Sequence, residues 1–356
     1  MLPFVILLLV PIAIQHIKIK GIDYSKKCQF ALTFFFVGLT LLVMLRHKTI
    51  GTDTQLYIYY FERFNVMEWS EIPDLSLELG YSYYNKLISV FTDDPQVFLA
   101  ITAVVISAMI YPTYRRLCLD PSLTIVLFCI MSTFVMMFSG IRQMIAIAIG
   151  FIAYEFTRKK KLFPFILAVA VAVMFHSSAF MLIFMYPLFH AKITKKWLYI
   201  IVPLTFVLFV FNAQVFSVLS VVLEHYTRFS ATTVSTGAYA MIALFAVFAL
   251  FSFFVPDEDL VDAETIGLRN FLLLSIFIQI FAPLHTLAMR MNYYYIIFIP
   301  LLLPKIIQTK SVRWRQVAIA GRYVMVVFFL LYFFVSASGE GALDVFPYHF
   351  FWEDVV

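Results

Sequence analysis

Apolar runs of bilayer length recur along nearly the whole chain, and they decide the fold class before any single residue is considered. A helix needs about 20 apolar residues to cross a hydrocarbon layer, and about 17 suffice when its flanks adjust. Backbone N–H and C=O groups find no water inside that layer, so each run must satisfy them internally as a helix. The runs predict spans near 2–17, 29–45, 97–114, 121–138, 142–157, 162–176, 178–190, 197–213, 237–255, 268–285, 291–304 and 317–335. Those at 162–176, 178–190 and 291–304 are short, which predicts tilted, broken or re-entrant helices there. The reading is an all-α polytopic membrane protein with about 12 transmembrane helices. Residues 1–356 form a single integral membrane domain, because no connector is long enough to hold an independent soluble one.

Composition closes off a soluble alternative. Of the 356 residues, 63% are hydrophobic and only 13% charged. A soluble fold of that make-up would expose large apolar patches and aggregate. The first run, MLPFVILLLVPIAIQHIKIK, carries its positive charge after the apolar stretch and has no small-residue cleavage site, which predicts a retained helix rather than a signal peptide. Cys28, Cys118 and Cys129 are too few and too scattered for a disulfide framework or a zinc site and read as packing residues.

The basic residues orient the spans. Threading twelve crossings puts 18 Lys and Arg on one side and 7 on the other, with Arg322 near a helix start on the richer side. Lysine and arginine collect on the cytoplasmic side, so the richer side is inside and both termini lie outside. The acidic loop Pro256–Glu264 falls inside as well, and acidic residues carry little weight in this rule. The net charge of +5 sits in short clusters between apolar runs, a topology pattern that implies no nucleic-acid partner. The longer polar segments all fall outside: loops 46–96 and 214–236 and the tail 336–356. Chemistry, if present, belongs on that face.

Four outer arginines, Arg46, Arg142, Arg228 and Arg290, sit at span ends and oppose the topology rule. An arginine at the centre of a membrane helix costs on the order of 2.5–3.5 kcal/mol, and persists when it faces a wet cavity or holds an anion. Arg46 opens a segment in which Gly51 permits a tight turn and Asp53 is placed to cap the helix carrying Tyr57. Glu78 is a second outer carboxylate, followed by Tyr81, Tyr83 and Tyr84. Arg142 falls in the first turn of its span, where a cation opposes the helix dipole unless an anion is held jointly by dipole and guanidinium. The plainer account has Arg142 snorkelling to headgroup phosphates.

His176, at a break between short spans, offers an imidazole as base or donor, or else a structural contact. His285, Arg290, Asn292 and Tyr293–Tyr295 form a further cluster, and an aromatic belt has the same composition. The tail Phe346–Trp352 likewise suits the membrane interface. Several arginines converging on one outer cavity would suit a multiply charged anion such as pyrophosphate. No phosphate loop, dinucleotide fingerprint or metal-binding His-Glu helix occurs, and the 7 histidines lie in separate segments, so no cofactor and no metal are expected.

In order, Arg46…Gly51-Thr-Asp53…Tyr57, Glu78-Leu-Gly-Tyr81, Arg142-Gln143, Phe175-His176-Ser-Ser-Ala179, Arg290…Tyr294 and Pro347-Tyr348…Phe350 resemble EpsG-type proteins, which belong with the Wzy-type polysaccharide polymerases. The resemblance implies a fold similar to metal-independent GT-C glycosyltransferases. It also implies polymerisation of undecaprenyl-pyrophosphate-linked oligosaccharides outside the bacterial cytoplasmic membrane, with a chain-length regulator as a further partner. Carried onto this chain, it makes Arg142 and Arg290 the pyrophosphate ligands, assisted by Arg46. Asp53 or His176 becomes the base for the acceptor hydroxyl, Glu78 a sugar contact, and Tyr57, Tyr81 and Tyr84 stacking partners for sugar rings. A lipid-linked-oligosaccharide flippase would also use cavity arginines but needs access from both faces. A membrane O-acyltransferase would need a base near the inner surface, where lysines set the topology.

Overall fold

The computed structural model describes residues 1–17, 21, 23–74, 77–222, 236–309, 313–337 and 344–355. Arg228 and most of the outer loop 214–236 lie outside the described residues. Among them the regular elements are all helical, with one isolated antiparallel bridge between Arg46 and Phe350. The chain divides into two compact units, Met1–Ile183 with Arg322–Val356, and Phe184–Gly321.

The first unit is built from α1 (Leu2–His16), α2 (Tyr24–Met44), α3 (Thr54–Val66), α4 (Leu79–Ser89), α5 (Pro95–Leu117), α6 (Pro121–Ile130), α7 (Ser132–Ser139), α8 (Ile141–Arg158) and α9 (Leu162–Phe175). A 3-10 segment, Ser177–Phe184, follows α9. Helix α2 packs against α1 and α5, and α5 and α9 both pack on α8. Consequently α8 is enclosed by protein, with Met144–Ile149 buried one after another. A helix apolar on every side is a core element, and its polar ends are then the informative part.

The second unit contains α10 (Met185–His190), α11 (Leu198–Val210), α12 (Asn212–Val222), α13 (Thr236–Phe254), α14 (Ala263–Gln279), α15 (Thr286–Ile296) and α16 (Ile299–Gln308). Its centre is α14, against which α10, α13, α15 and α16 all pack. The last helix, α17 (Arg315–Ala337), returns the chain to the first unit from Arg322 onward.

Four helices are each long and apolar enough to cross a membrane: Tyr24–Met44, Pro95–Leu117, Gly237–Phe254 and Arg315–Ser336. Three bent pairs raise the number to 7 if each pair is one span: Pro121–Ile130 with Thr133–Ser139 at 61°, Lys195–Val210 with Asn212–Val218 at 79°, and Thr286–Ile296 with Ile299–Gln308 at 41°. The chain is thus a multi-pass helical membrane protein. Of the other expected spans, three fall on the shorter apolar helices Leu2–His16, Leu162–Phe175 and Ser177–His190, and two on α8 and α14.

Two helices start well before their apolar runs. Asp23 accepts a hydrogen bond from the Lys26 N–H at 2.7 Å, and Asp262 accepts one from the Thr265 N–H at 2.6 Å. Each cap lets a polar first turn precede the membrane-like stretch. Asp53 departs from its expected role: it occupies the cap position of α3, but its side chain makes no capping bond.

Two glycines bring the segment between α2 and α5 onto the helix ends. Gly51 has φ +87°, a left-handed conformation open to glycine, and a Cβ there would lie 2.3 Å from the Phe138 carbonyl oxygen. At Gly80 a Cβ would meet the Met174 carbonyl oxygen at 2.8 Å, so the start of α4 presses directly on the end of α9. Gly80→Val is expected to destabilise the protein by about 1–3 kcal/mol through overpacking. Thermal unfolding in detergent measures it, and an unchanged melting temperature would contradict this contact.

Candidate functional site

The close approach at Gly80 places Glu78, at the head of α4, beside the junction of α9 with the 3-10 segment. There His176 is extended (φ −156°, ψ 123°) and ends the helix. Its Nδ1 stands 3.6 Å from Glu78 Oε1, an ion-pair distance rather than a hydrogen bond. The Ser177 N–H donates to the same oxygen at 3.4 Å. Glu78 Oε2 faces the other way and accepts from Arg142 Nη1 at 2.7 Å. One carboxylate therefore joins α4, α8 and the end of α9.

Arg142 is the second residue of α8, in the first turn as expected. The anion beside it is Glu78, and its guanidinium lies 5.8 Å from the centre of the Tyr81 ring. Its Nε–H is buried and has no hydrogen-bond partner. Tyr57, on α3, turns its hydroxyl toward this guanidinium and its ring toward Tyr81, with centroids 6.0 Å apart. Burial pushes the Tyr57 hydroxyl above its ordinary pKa, while Arg142 opposes the rise and Asp53 adds to it. The two charges of opposite sign thus both act on Tyr57. Asp53 is part-exposed, and its own N–H donates to Ser139 Oγ at 3.4 Å.

The aromatic residues differ in what they present. Tyr57 and Tyr81 are buried, at 4% and 0% exposure, and form the wall behind Arg142. Tyr84 is part-exposed, hydrogen-bonds Thr102 through its hydroxyl at 3.0 Å and meets the Phe175 ring edge-on. It keeps more exposed surface than the other two.

Arg46 lies deeper. It is 1% exposed, its Nη1 donates to the Val43 carbonyl, and its Nε has no partner. Among the described residues it makes no ion pair; the groups acting on its charge are the Tyr348 and Tyr57 hydroxyls. Burial pushes the guanidinium down to about 10, so it remains protonated at neutral pH.

The cover over Arg46 is the C-terminal segment. His47 N–H donates to the His349 carbonyl at 2.9 Å, Gly51 N–H to the Asp344 carbonyl at 3.0 Å, and Phe351 N–H to the Leu45 carbonyl at 2.9 Å. Tyr348 inserts its ring among Phe4, Phe138 and Phe350 and donates its hydroxyl to the Leu42 carbonyl at 2.7 Å. The tail is a strap laid along residues 45–51, a role that its aromatic composition did not disclose.

Arg290 belongs to the second unit, exposed on α15. That unit holds a charge cluster that reading the sequence missed. Arg269, one of the 18 basic residues that threading put on the richer side, is fully buried. It makes a two-pronged pair with Glu258 at 2.6 and 3.0 Å and stacks over Phe253 at 3.9 Å. The acidic loop Pro256–Glu264 thus supplies the counter-charge for a basic residue. In the first unit, Arg322 pairs with buried Asp120, which also accepts from Gln15 at 3.0 Å. The sequence signal for both was a charge beside an apolar run, the same signal that singled out Arg142. Among the described residues, no group of three or more His, Cys, Asp or Glu is arranged to hold a metal ion.

An all-helical multi-pass protein with arginine, carboxylate and imidazole gathered at helix ends defines the class. The family follows from comparison: the chain belongs to the EpsG family, whose model matches residues 29–350. This is a Wzy-type polysaccharide polymerase family, which makes the chain a glycosyltransferase-type polymerase at the family level. No curated protein and no solved structure matches it.

Tyr348→Ala should loosen the strap, with a loss of about 3–5 kcal/mol typical of removing a packed aromatic ring. Limited trypsin digestion would then cut after Arg46. Unaltered resistance at that bond would show that the strap does not seal it.

Proposed function

We propose that the protein joins undecaprenyl-pyrophosphate-linked oligosaccharide repeat units into a long surface polysaccharide at the outer face of the bacterial cytoplasmic membrane. The observation that carries this reading is the Arg142 guanidinium: held at the first turn of α8, only partly satisfied by Glu78, and walled by Tyr57 and Tyr81. Family membership supplies the reaction class.

In the proposed reaction the growing glycan leaves its lipid diphosphate and joins a hydroxyl of the incoming unit. Departure of a diphosphate develops negative charge, and a pre-placed guanidinium stabilises that charge without reorganising. Arg142 is the direct ligand. Arg46 assists with its fixed charge, which acts on the Tyr57 hydroxyl. Arg290 enters on its place in the family pattern alone. The base for the acceptor hydroxyl is His176 or Asp53, and Tyr84 offers a face to a sugar ring. Charge stabilisation by arginine makes the proposed chemistry metal-independent. Twelve crossings, a GT-C-like architecture in one membrane domain and both termini outside complete the proposal, on the strength of the basic-residue distribution and the family resemblance.

Arg142→Ala is expected to lower polymerisation about 10²–10³-fold, the scale for losing one transition-state donor. Cells would then hold single repeat units on the acceptor lipid and no long-chain ladder. A normal ladder with normal expression overturns the reading. For topology, single cysteines at Ser70 and Lys160 should label from opposite faces with an impermeant reagent; labelling from the same face would refute the orientation.

A further inference from the structure

We propose that Glu78 occupies Arg142 as a stand-in for the substrate diphosphate, and that the arriving diphosphate displaces it toward His176, assembling the base at the moment of binding. This inference rests on the polymerase reading above and deepens it.

The geometry carries the exchange. Glu78 Oε2 holds Arg142 at 2.7 Å, while Oε1 is already anchored on the other side by the Ser177 N–H at 3.4 Å, with His176 Nδ1 at 3.6 Å. Although Glu78 stands at the cap position of α4, its side chain caps nothing there, so helix formation places no demand on it. Gly80 fixes the distance between this carboxylate and the imidazole by pressing α4 onto Met174, two residues before His176.

On the other side, a guanidinium carries five N–H donors in a planar fork, and one carboxylate oxygen uses few of them. The buried Nε–H of Arg142 has no partner at all. A diphosphate brings more acceptor oxygens and more charge than a carboxylate, so it competes well for the fork. Once displaced, the carboxylate needs to close on Nδ1 by only roughly 0.7 Å to reach hydrogen-bond distance. Donation from Nδ1–H to Glu78 then fixes the tautomer that leaves Nε2 as the acceptor.

The step balances as follows. The acceptor sugar hydroxyl passes its proton to His176 Nε2 while its oxygen bonds to the anomeric carbon of the growing glycan. The bond from that carbon to the diphosphate oxygen breaks, and its electron pair leaves with the lipid diphosphate, whose charge Arg142 holds. When the lipid diphosphate departs, Glu78 returns to Arg142 and the imidazolium gives its proton to water. Glu78 is therefore a positioning residue: it competes with the substrate in the ground state and aligns the base in the reacting complex.

Glu78→Gln separates these two effects. It keeps the shape and removes the competing charge. In the full-length protein in nanodiscs, inorganic pyrophosphate and undecaprenyl diphosphate should bind roughly fivefold tighter or more, the lower range of site-to-site coupling. Polymer formation in cells carrying the variant should fall about 10²-fold, as for loss of an aligned general base. A carboxylate that merely braced Arg142 would give weaker binding on removal, and a sugar contact would leave pyrophosphate binding unchanged; either result overturns the proposal, as does normal polymer formation. Should the Gln variant fail to accumulate, Glu78→Asp retains the charge with a reach too short for both partners. It is expected to tighten binding to a smaller degree and to slow polymerisation, and unchanged or weaker binding overturns the proposal equally. Failure of the wild-type protein to bind either probe would instead strike at the polymerase reading itself.

Discussion

A charge removed from water must be met by another charge or by well-placed dipoles, and the arrangement of this protein follows from how each buried arginine meets that demand. Arg269 has Glu258, Arg322 has Asp120 and Arg142 has Glu78. In the first two pairs the cation meets both carboxylate oxygens: Arg269 is wholly buried and binds Glu258 through both arms, although its Nε lacks a partner, and Arg322 meets both oxygens of buried Asp120. They fasten helix ends together. The Arg142 pair differs in that both of its partners are part-exposed, in using one arm, and in sharing its carboxylate with an imidazole. An ion pair left incomplete at a surface is a place where another anion gains by entering.

Arg46 is the exception, a buried cation facing only hydroxyls and a carbonyl. It raises the positive potential around Tyr57 and Tyr348 without offering its guanidinium to solvent. Arg46, Arg142 and the opposing Asp53 all act on the Tyr57 hydroxyl. Backbone contacts hold the segments that carry these residues: the turn at Gly51 against Phe138, the approach of Gly80 to Met174, and the tail along residues 45–51.

The class of fold was legible because lipid imposes a simple length rule on apolar runs, and the same rule explains its failures. Where an apolar run passes through a bend, as near Met131 or between Ile296 and Ile299, hydropathy does not change and the break is silent. Where Asp23 or Asp262 caps a polar first turn, the helix begins before hydropathy rises. At the site, the positions of Arg142, Glu78 and His176 stood out individually, as charges out of place beside apolar segments. Their mutual contact did not, because Glu78 lies 64 residues from Arg142 and 99 from Ser177, and only packing joins them. Tyr57 and Tyr81 were legible as aromatic residues of the outer segment, yet burial behind Arg142 is a tertiary property that sequence does not carry.

The strap has a consequence for how the protein comes into being. Tyr348 reaches back to Leu42 across 306 positions, so the segment that follows α2 is synthesised long before its cover exists. Loop-closure entropy makes such distant pairings late events. Residues 45–51 and Arg46 therefore stay uncovered until the segment around Tyr348 has been made and has folded back. The cover over Arg46 thus forms only after the whole of the second unit has been synthesised, and a chain cut before Asp344 lacks it.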